Sequence, residues 1–498
     1  MTGYRLRSSA AMTASVLALA LLSCDGPVFR SAARADEPSG LAIAGAIEEA
    51  MAAAIARAEK SVVSIARVAD KGNQAADIQP DFLGRPRLGF PQGPHDPDFI
   101  PTGFATGVVV GKRLVVTNHH VLALGEPSRF YITTPSRKVY AAIIKGADSY
   151  SDLAVLEVVE PDSDDDFVPI KFGAGGALRK GQFVVALGNP YAIARDGQAS
   201  ASWGIVSNLQ RKAAPQPGDN GLQPTRPTLQ HFGSLIQTDV KLNLGASGGA
   251  LVNLKGEMVG LTTSLAAVAG YEQAAGYAIP VDEAFRETIA KLKNGEERTH
   301  GLLGITFHRE EGIPASGVRV DAIYDAGPAG QAGIRKNDII TRIDDRPIRD
   351  GDDLLLSIGR LSAGRRARVT IERDGRVIER QVTLAKFPVP GATVVTNPTP
   401  SWRGMTVDYG TVLLEFPARA IAADGPRSPC VIVREVVEGS PAWEAGLRRG
   451  MLIDHVGAAS VETPDEFREA VAGKEGDVVL RLAAGTAKQD KITVQAQP

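Results

Sequence analysis

The chain has 498 residues, 44% hydrophobic and 22% charged, which is apolar mass for about three ordinary domains and too much for a disordered chain. Its 55 Lys and Arg against 57 Asp and Glu leave a formal charge of −2, which removes any electrostatic basis for binding nucleic acid or an anionic membrane surface. Two Cys exclude a disulfide scaffold and a multi-cysteine zinc site, while 53 Gly and 31 Pro at 5% aromatics point to many turns between short strands.

Arg5 and Arg7 precede an apolar run from Ala10 to Leu22. This is the charged and apolar pair of a secretory signal, and it is shorter than the ~20 residues a membrane span needs. Two endings stand side by side. Ala33-Arg34-Ala35 is an A-x-A cleavage site, which makes 1–35 a signal peptide. Leu21-Leu22-Ser23-Cys24 resembles a lipobox, which would anchor the mature chain through a lipid on Cys24. Cys430 has no evident partner in either case.

Residues 41–60 are Ala-rich and predict a helix, and residues 61–65 (SVVSI) predict a strand. Residues 72–103 are dense in Pro and Gly and predict a long loop. From Thr102 to Pro280 the runs GVVVG, RLVVTN, KVYAAIIKG, DLAVLEV, QFVVALGNP, GALVN, MVGLTTS and GYAIP follow one another between turn residues. No helix alternates with them, so the pattern is all-β. Residues 281–293 form an amphipathic helix stopped by Asn294-Gly295.

The remainder repeats itself. Pro328-Ala329-Gly330-Gln331-Ala332-Gly333 recurs 113 residues on as Pro441-Ala442-Trp443-Glu444-Ala445-Gly446. Each copy follows a valine-rich strand and precedes a second strand and a helix. Asp350 is the expected N-cap of the first helix, and Thr463-Pro464-Asp465-Glu466 is a capping box for the second. Residues 388–401 (PVPGATVVTNPTPS) read as a linker between two homologous domains.

The chemistry lies in a His, an Asp and a Ser met in that order. Gly245-Ala246-Ser247-Gly248-Gly249 satisfies G-x-S-x-G, the pattern of an α/β-hydrolase elbow. An elbow, however, needs a following helix and an acid and base placed after the serine, whereas LVNLKGEMVG after Ser247 reads as a hairpin. His120 closes the strand RLVV and Asp152 opens DLAVLEV, both before Ser247, and that order is the chymotrypsin arrangement. Asp148 competes with Asp152 as the acid, but it lies outside the apolar strand that would orient a carboxylate.

Taken together, TNHHVL, DSYSDLAVLEV, LGNP with WGIVS, IQTDVKLNLGASGGALVN and GYAIP resemble the successive motifs of HtrA/DegP-type trypsin-like serine proteases. The two repeats resemble PDZ domains. The resemblance covers roughly residues 45–498. It implies a mainly β chain: a chymotrypsin-like double β-barrel followed by two α+β PDZ domains. The expected division is a signal peptide at 1–35, protease at 41–296, PDZ domains at 297–389 and 400–498, and a linker at 390–399.

The family pattern implies that His120 is the general base, Asp152 its carboxylate and Ser247 the nucleophile, with His119 at a variable position. It implies an oxyanion hole from the backbone of Gly245 and Ser247, and an S1 pocket lined by Gly276, Tyr277, Ala278 and Ile279. Ala and Ile there point to small or aliphatic P1 residues. Leu303, Gly304 and Ile305 resemble the carboxylate-binding loop of a PDZ domain, and Trp402-Arg403-Gly404-Met405 is a weaker counterpart. Ala246 stands where the family has Asn, Leu244 is also unusual, and Met451 replaces the Asp that Asp338 provides in the first repeat.

The implied protein is an exported, ATP-independent serine endopeptidase of the periplasm or cell envelope, acting on unfolded or damaged proteins and peptides. It uses no cofactor and no metal, binds no nucleic acid, and assembles as a homotrimer or larger homo-oligomer. The Asp162–Asp166 run lacks the glycine and spaced glutamate of a calcium loop, and His300, His308 and His455 have no clustered ligands. The alternative is a PDZ-containing chaperone or peptide-binding protein with a vestigial protease domain, which a lost triad member would mark.

Overall fold

In the strand Gly103–Gly111, Val109 points into a barrel interior while Val108 and Val110 point out into a second core. Three consecutive valines are thus buried on both faces of the sheet, which is why the run shows no polar alternation. The computed structural model describes residues 40–70, 99–161, 163–189, 197–215, 226–263, 275–307, 317–413, 429–483 and 490–496. The expected signal segment, most of the 72–103 loop and His308 lie outside the described residues.

The helix Gly40–Ala58 ends by burying Ala54 and Ala58, and the chain then enters a first barrel. Its strands are β1 (Val62–Ala69), β2 (Gly103–Gly111), β3 (Leu114–Thr117), β4 (Ser128–Thr133), β5 (Val139–Asp148) and β6 (Leu153–Val158). They run in the order β5-β4-β1-β2-β3-β6, and β6 pairs back onto β5 to close the barrel. A second closed barrel has the order β10-β11-β12-β9-β8-β7. Its strands are β7 (Phe183–Gly188), β8 (Ser200–Arg211), β9 (Leu235–Thr238), β10 (Ala250–Val252), β11 (Met258–Thr263) and β12 (Gly276–Pro280).

One core fills each barrel, and a third joins them. Ile65, Val109, Val115, Ile132 and Leu156 fill the first barrel. Val184, Val206, Ile236, Leu251 and Ala278 fill the second. Val108, Val116, Val155, Leu187, Leu261 and Phe285 meet between the barrels, Phe285 coming from the helix Glu283–Lys293.

Two further sheets repeat one plan. The first runs Ile305–Phe307, Val318–Ile323, Ile339–Ile343, Arg366–Arg373 and Arg376–Thr383, with the helix Gly351–Gly359. The second runs Met405–Tyr409, Val431–Val436, Leu452–Val456, Val478–Leu482 and Lys491–Val494, with the helix Pro464–Val471. Both helices start as expected: the Asp350 carboxylate accepts from Asp353 N, and Thr463 and Glu466 cap each other's backbone reciprocally.

The segment read as a plain linker holds a strand. Val394–Val395 pairs antiparallel with Gly146–Ala147 and adds a seventh strand to the first barrel's sheet. Two residues are too few for a periodic signal, so tertiary pairing alone makes this strand.

Candidate active site

Three short turns at the ends of barrel strands carry the site. His119–Leu122 is a single 3-10 turn directly after β3. Asp152 sits between β5 and β6 with φ +55, a left-handed backbone that a non-glycine residue keeps only when its surroundings force it. What forces it is visible: His119 N–H donates to Asp152 O, and Asp152 N–H donates to Ser149 O.

The strained turn aims the carboxylate. Asp152 Oδ1 and Oδ2 each lie 3.0 Å from His120 Nδ1, and Oδ1 also accepts from His120 N–H. Asn118 Nδ2 donates to Oδ2 at 3.1 Å. Nδ1 therefore carries the proton, and Nε2 is left as the basic nitrogen. Burial works against a charged His120 ring, but the Asp152 charge and hydrogen bond outweigh it and raise the ring's pKa above 6.5.

The serine turn is locked to the same strands. Thr106 N–H donates to Ser247 O at 2.9 Å, and Thr106 Oγ1 donates to Gly245 O at 2.7 Å. Gly248, with φ +82, leaves no room for a side chain: a Cβ there would lie 2.1 Å from Thr106 O and 2.3 Å from Thr117 Oγ1. That contact sets the Ser247 turn against the strand end that leads to His120. Ala246 is buried with its Cα and Cβ against Gly188, and its carbonyl accepts from Gly249 N–H, so the residue in the family's Asn position is a small packing element. Leu244 is 66% exposed.

Thr106 and Asn118 are the participants that sequence reasoning did not single out. Asn118 stands inside the TNHHV motif, so its place was legible. Thr106 lies 139 residues from Gly245, and nothing local marks it.

Asp148 does not join the site. It is fully buried and pairs with His300 at 2.9 Å. Of the residues expected to line S1, Gly276 lies against Leu242 and Val240 O, while Ala278 faces the interior of the second barrel and Ile279 the core between barrels. Alternation along β12 thus turns these two side chains into opposite cores. Of the acidic run, Asp164 pairs with Arg113, and Asp166 accepts from Ser136, Lys138 and Tyr140.

The two repeat loops share one geometry. Leu303 O accepts from Ala329 N–H and Gly304 O from Tyr324 N–H; Arg403 O accepts from Ala442 N–H and Gly404 O from Val437 N–H. Trp402–Met405 is therefore a full structural counterpart of the first loop. Its sequence differs because the buried Arg403 guanidinium donates to Val494 O, Gln495 O, Lys474 O and Gly476 O, a role that Leu303 does not have. Asp338 is buried and bonded to Arg373 at 2.7 and 2.8 Å, whereas Met451 packs on the apolar core of the second copy.

Residues 105–261 match the trypsin-like peptidase domain, and residues 301–384 and 432–483 each match a PDZ domain. A trypsin-like barrel pair with a His, an Asp and a Ser in that order, followed by two PDZ domains, defines a serine endopeptidase. Among curated proteins, the chain is 29% identical over 435 residues to the "Periplasmic pH-dependent serine endoprotease DegQ" of Escherichia coli, covering 85% of this chain and 87% of that protein. It is 28% identical over 414 residues to a "Probable periplasmic serine endoprotease DegP-like" of Chlamydia trachomatis, covering 81% and 76%. Among solved structures, "HtrA-type protease AlgW with tripeptide" aligns at TM-score 0.49 and 22% identity, over 70% of this chain and 99% of that one. The chain is thus a serine endopeptidase with a trypsin-like peptidase domain and two PDZ domains, similar to the DegQ and DegP-like endoproteases.

Proposed function

We propose that His120, Asp152 and Ser247 form the catalytic triad of this endopeptidase, and that it cleaves unfolded or damaged proteins of the cell envelope. The observation that carries the reading is the double hold of Asp152 on His120 Nδ1. Ser247 Oγ attacks the scissile carbonyl and passes its proton to His120 Nε2, and Asp152 stabilises the imidazolium that forms. The tetrahedral oxyanion is met by the backbone N–H groups of Gly245 and Ser247, each donor of this kind worth on the order of 10²–10³ in rate. His120 then gives its proton to the leaving amine, leaving an acyl group on Ser247 Oγ. Water, deprotonated by the same imidazole, hydrolyses that ester.

The Leu303-Gly304-Ile305 loop holds a peptide C-terminus through backbone N–H groups while the peptide adds to the sheet edge as a strand. The proposed domain limits put the protease at 41–296 and the PDZ domains at 297–389 and 400–498. Curated relatives named periplasmic and the charged and apolar N-terminal pair support export to the periplasm or envelope, through cleavage after Ala35 or lipid attachment at Cys24. By the same likeness the protein assembles as a homotrimer or larger homo-oligomer. Ser247→Ala should abolish casein cleavage and fluorophosphonate labelling with the fold intact; equal labelling of both proteins would remove Ser247 as the nucleophile.

A further inference from the structure

The segment between the two PDZ sheets leaves at Lys386 and returns at Asp408, and these two side chains are joined at 2.7 Å. Its ends are thus pinned together. A loop of this length is usually functional when it is ordered, and this one makes an excursion onto the protease. Thr396 N–H and Asn397 N–H both donate to Gly295 O, Thr396 Oγ1 donates to Lys145 O, and Val394–Val395 pairs with β5.

Its other contacts fall on the two triad turns. His119 Nε2 lies 2.8 Å from Ala392 O, and since a carbonyl only accepts, the ring donates. Ser149 Oγ donates to Pro390 O at 2.9 Å. Between these carbonyls, Gly391 has φ +96, and a Cβ there would meet Ser149 Oγ at 3.1 Å, so a bare backbone allows the close approach. His119 shares its single 3-10 turn with His120, and Ser149 O receives the Asp152 N–H.

We infer that residues 390–397 are a positioning strap for the catalytic His–Asp pair, with the Pro390 and Ala392 carbonyls bracing the Asp152 and His120 turns respectively. The inference rests on the triad assignment above. Both turns are short and one is strained, and such a geometry persists where bonds from outside, here from the strap, add to the turns' own. A small misplacement of a general base against its nucleophile costs rate without costing affinity. His119, next to the proposed base but not part of it, thereby has a role: its side chain anchors the turn that its neighbour works from.

The test uses the full chain, a short chromogenic peptide, and active sites counted by fluorophosphonate titration. Two variants release the strap by different routes: His119→Ala with Ser149→Ala, and Thr396→Pro, which touches neither turn. Each should lower kcat per titrated site about tenfold or more, with KM within about twofold. Hydrogen exchange at the Val394, Val395 and Asn397 amides should rise in Thr396→Pro. His119→Gln, which keeps a donor at the same reach, should retain most of kcat. Unchanged kcat per site in both variants while exchange at Val394, Val395 and Asn397 rises, or a change confined to KM, would each overturn the strap. Ser247→Ala runs beside them: if it still labels, the triad assignment fails, whereas a dead Ser247→Ala with normal strap variants fails the strap alone.

Discussion

His300 Nε2 lies 2.9 Å from Asp148 Oδ2, and both side chains are 1% exposed. His300 Nδ1 faces Gly359 O at 2.7 Å, so that nitrogen must donate, and the ring bridges a protease strand and a PDZ helix. Burial pushes the Asp148 pKa up, but the His300 charge and hydrogen bond, together with the Ser151 bonds, pull it below 3.8. This carboxylate thus ties the first PDZ domain to the strand that leads into Asp152, while Asp152 serves His120.

Removing the ring strands a buried charge. His300→Ala should cost about 3–5 kcal/mol at neutral pH, read as a lower denaturation midpoint. A carboxylate with a depressed folded pKa stabilises above its unfolded value, here 3.8, and that contribution is lost as pH falls through the folded value. The gap between wild type and variant should therefore close in acid below pH 3.8; a gap independent of pH would refute the pairing energy.

The base should titrate high. In the proposed mechanism His120 acts as a neutral imidazole, so hydrolysis of a short peptide should fall as pH drops through its raised pKa. The midpoint of kcat/KM should lie above 6.5. A midpoint at or under that value would mean that burial, not Asp152, dominates the ring.

Asp152→Asn keeps the shape and loses the charge that holds the Nδ1 proton. A fall of about 10⁴ in kcat, with KM little changed, is expected from steady-state kinetics. A loss smaller than tenfold would send the search for the acid elsewhere.

Gly248→Ala puts a methyl carbon 2.1 Å from Thr106 O at a left-handed position. The turn must shift, costing about 1–3 kcal/mol in stability, and Ser247 should label far more slowly. Wild-type labelling kinetics would show that the turn tolerates the displacement.

Arg403→Met removes donors from the buried Val494 carbonyl and from the Gly476 carbonyl. The expected cost is about 1–3 kcal/mol, seen as faster hydrogen exchange confined to the second PDZ sheet, with fluorophosphonate labelling unaffected. Exchange that rises in the barrels as well would contradict a local role.

What the sequence alone determined is what short windows can encode. The valine runs, the Asp350 and Thr463 caps, the repeated PAxxAG segment, and the ordered His, Asp and Ser each depend on neighbours within a few residues, where periodicity and capping chemistry act. The tertiary structure decided which way β12 turns Ala278 and Ile279, what Asp148 and His119 touch, and that 394–395 is a strand at all. Those outcomes join residues far apart in the chain, such as His119 with Ala392 and Asp148 with His300. A hydrogen bond between distant segments imposes no local pattern on either of them, so only the packed barrels could reveal it.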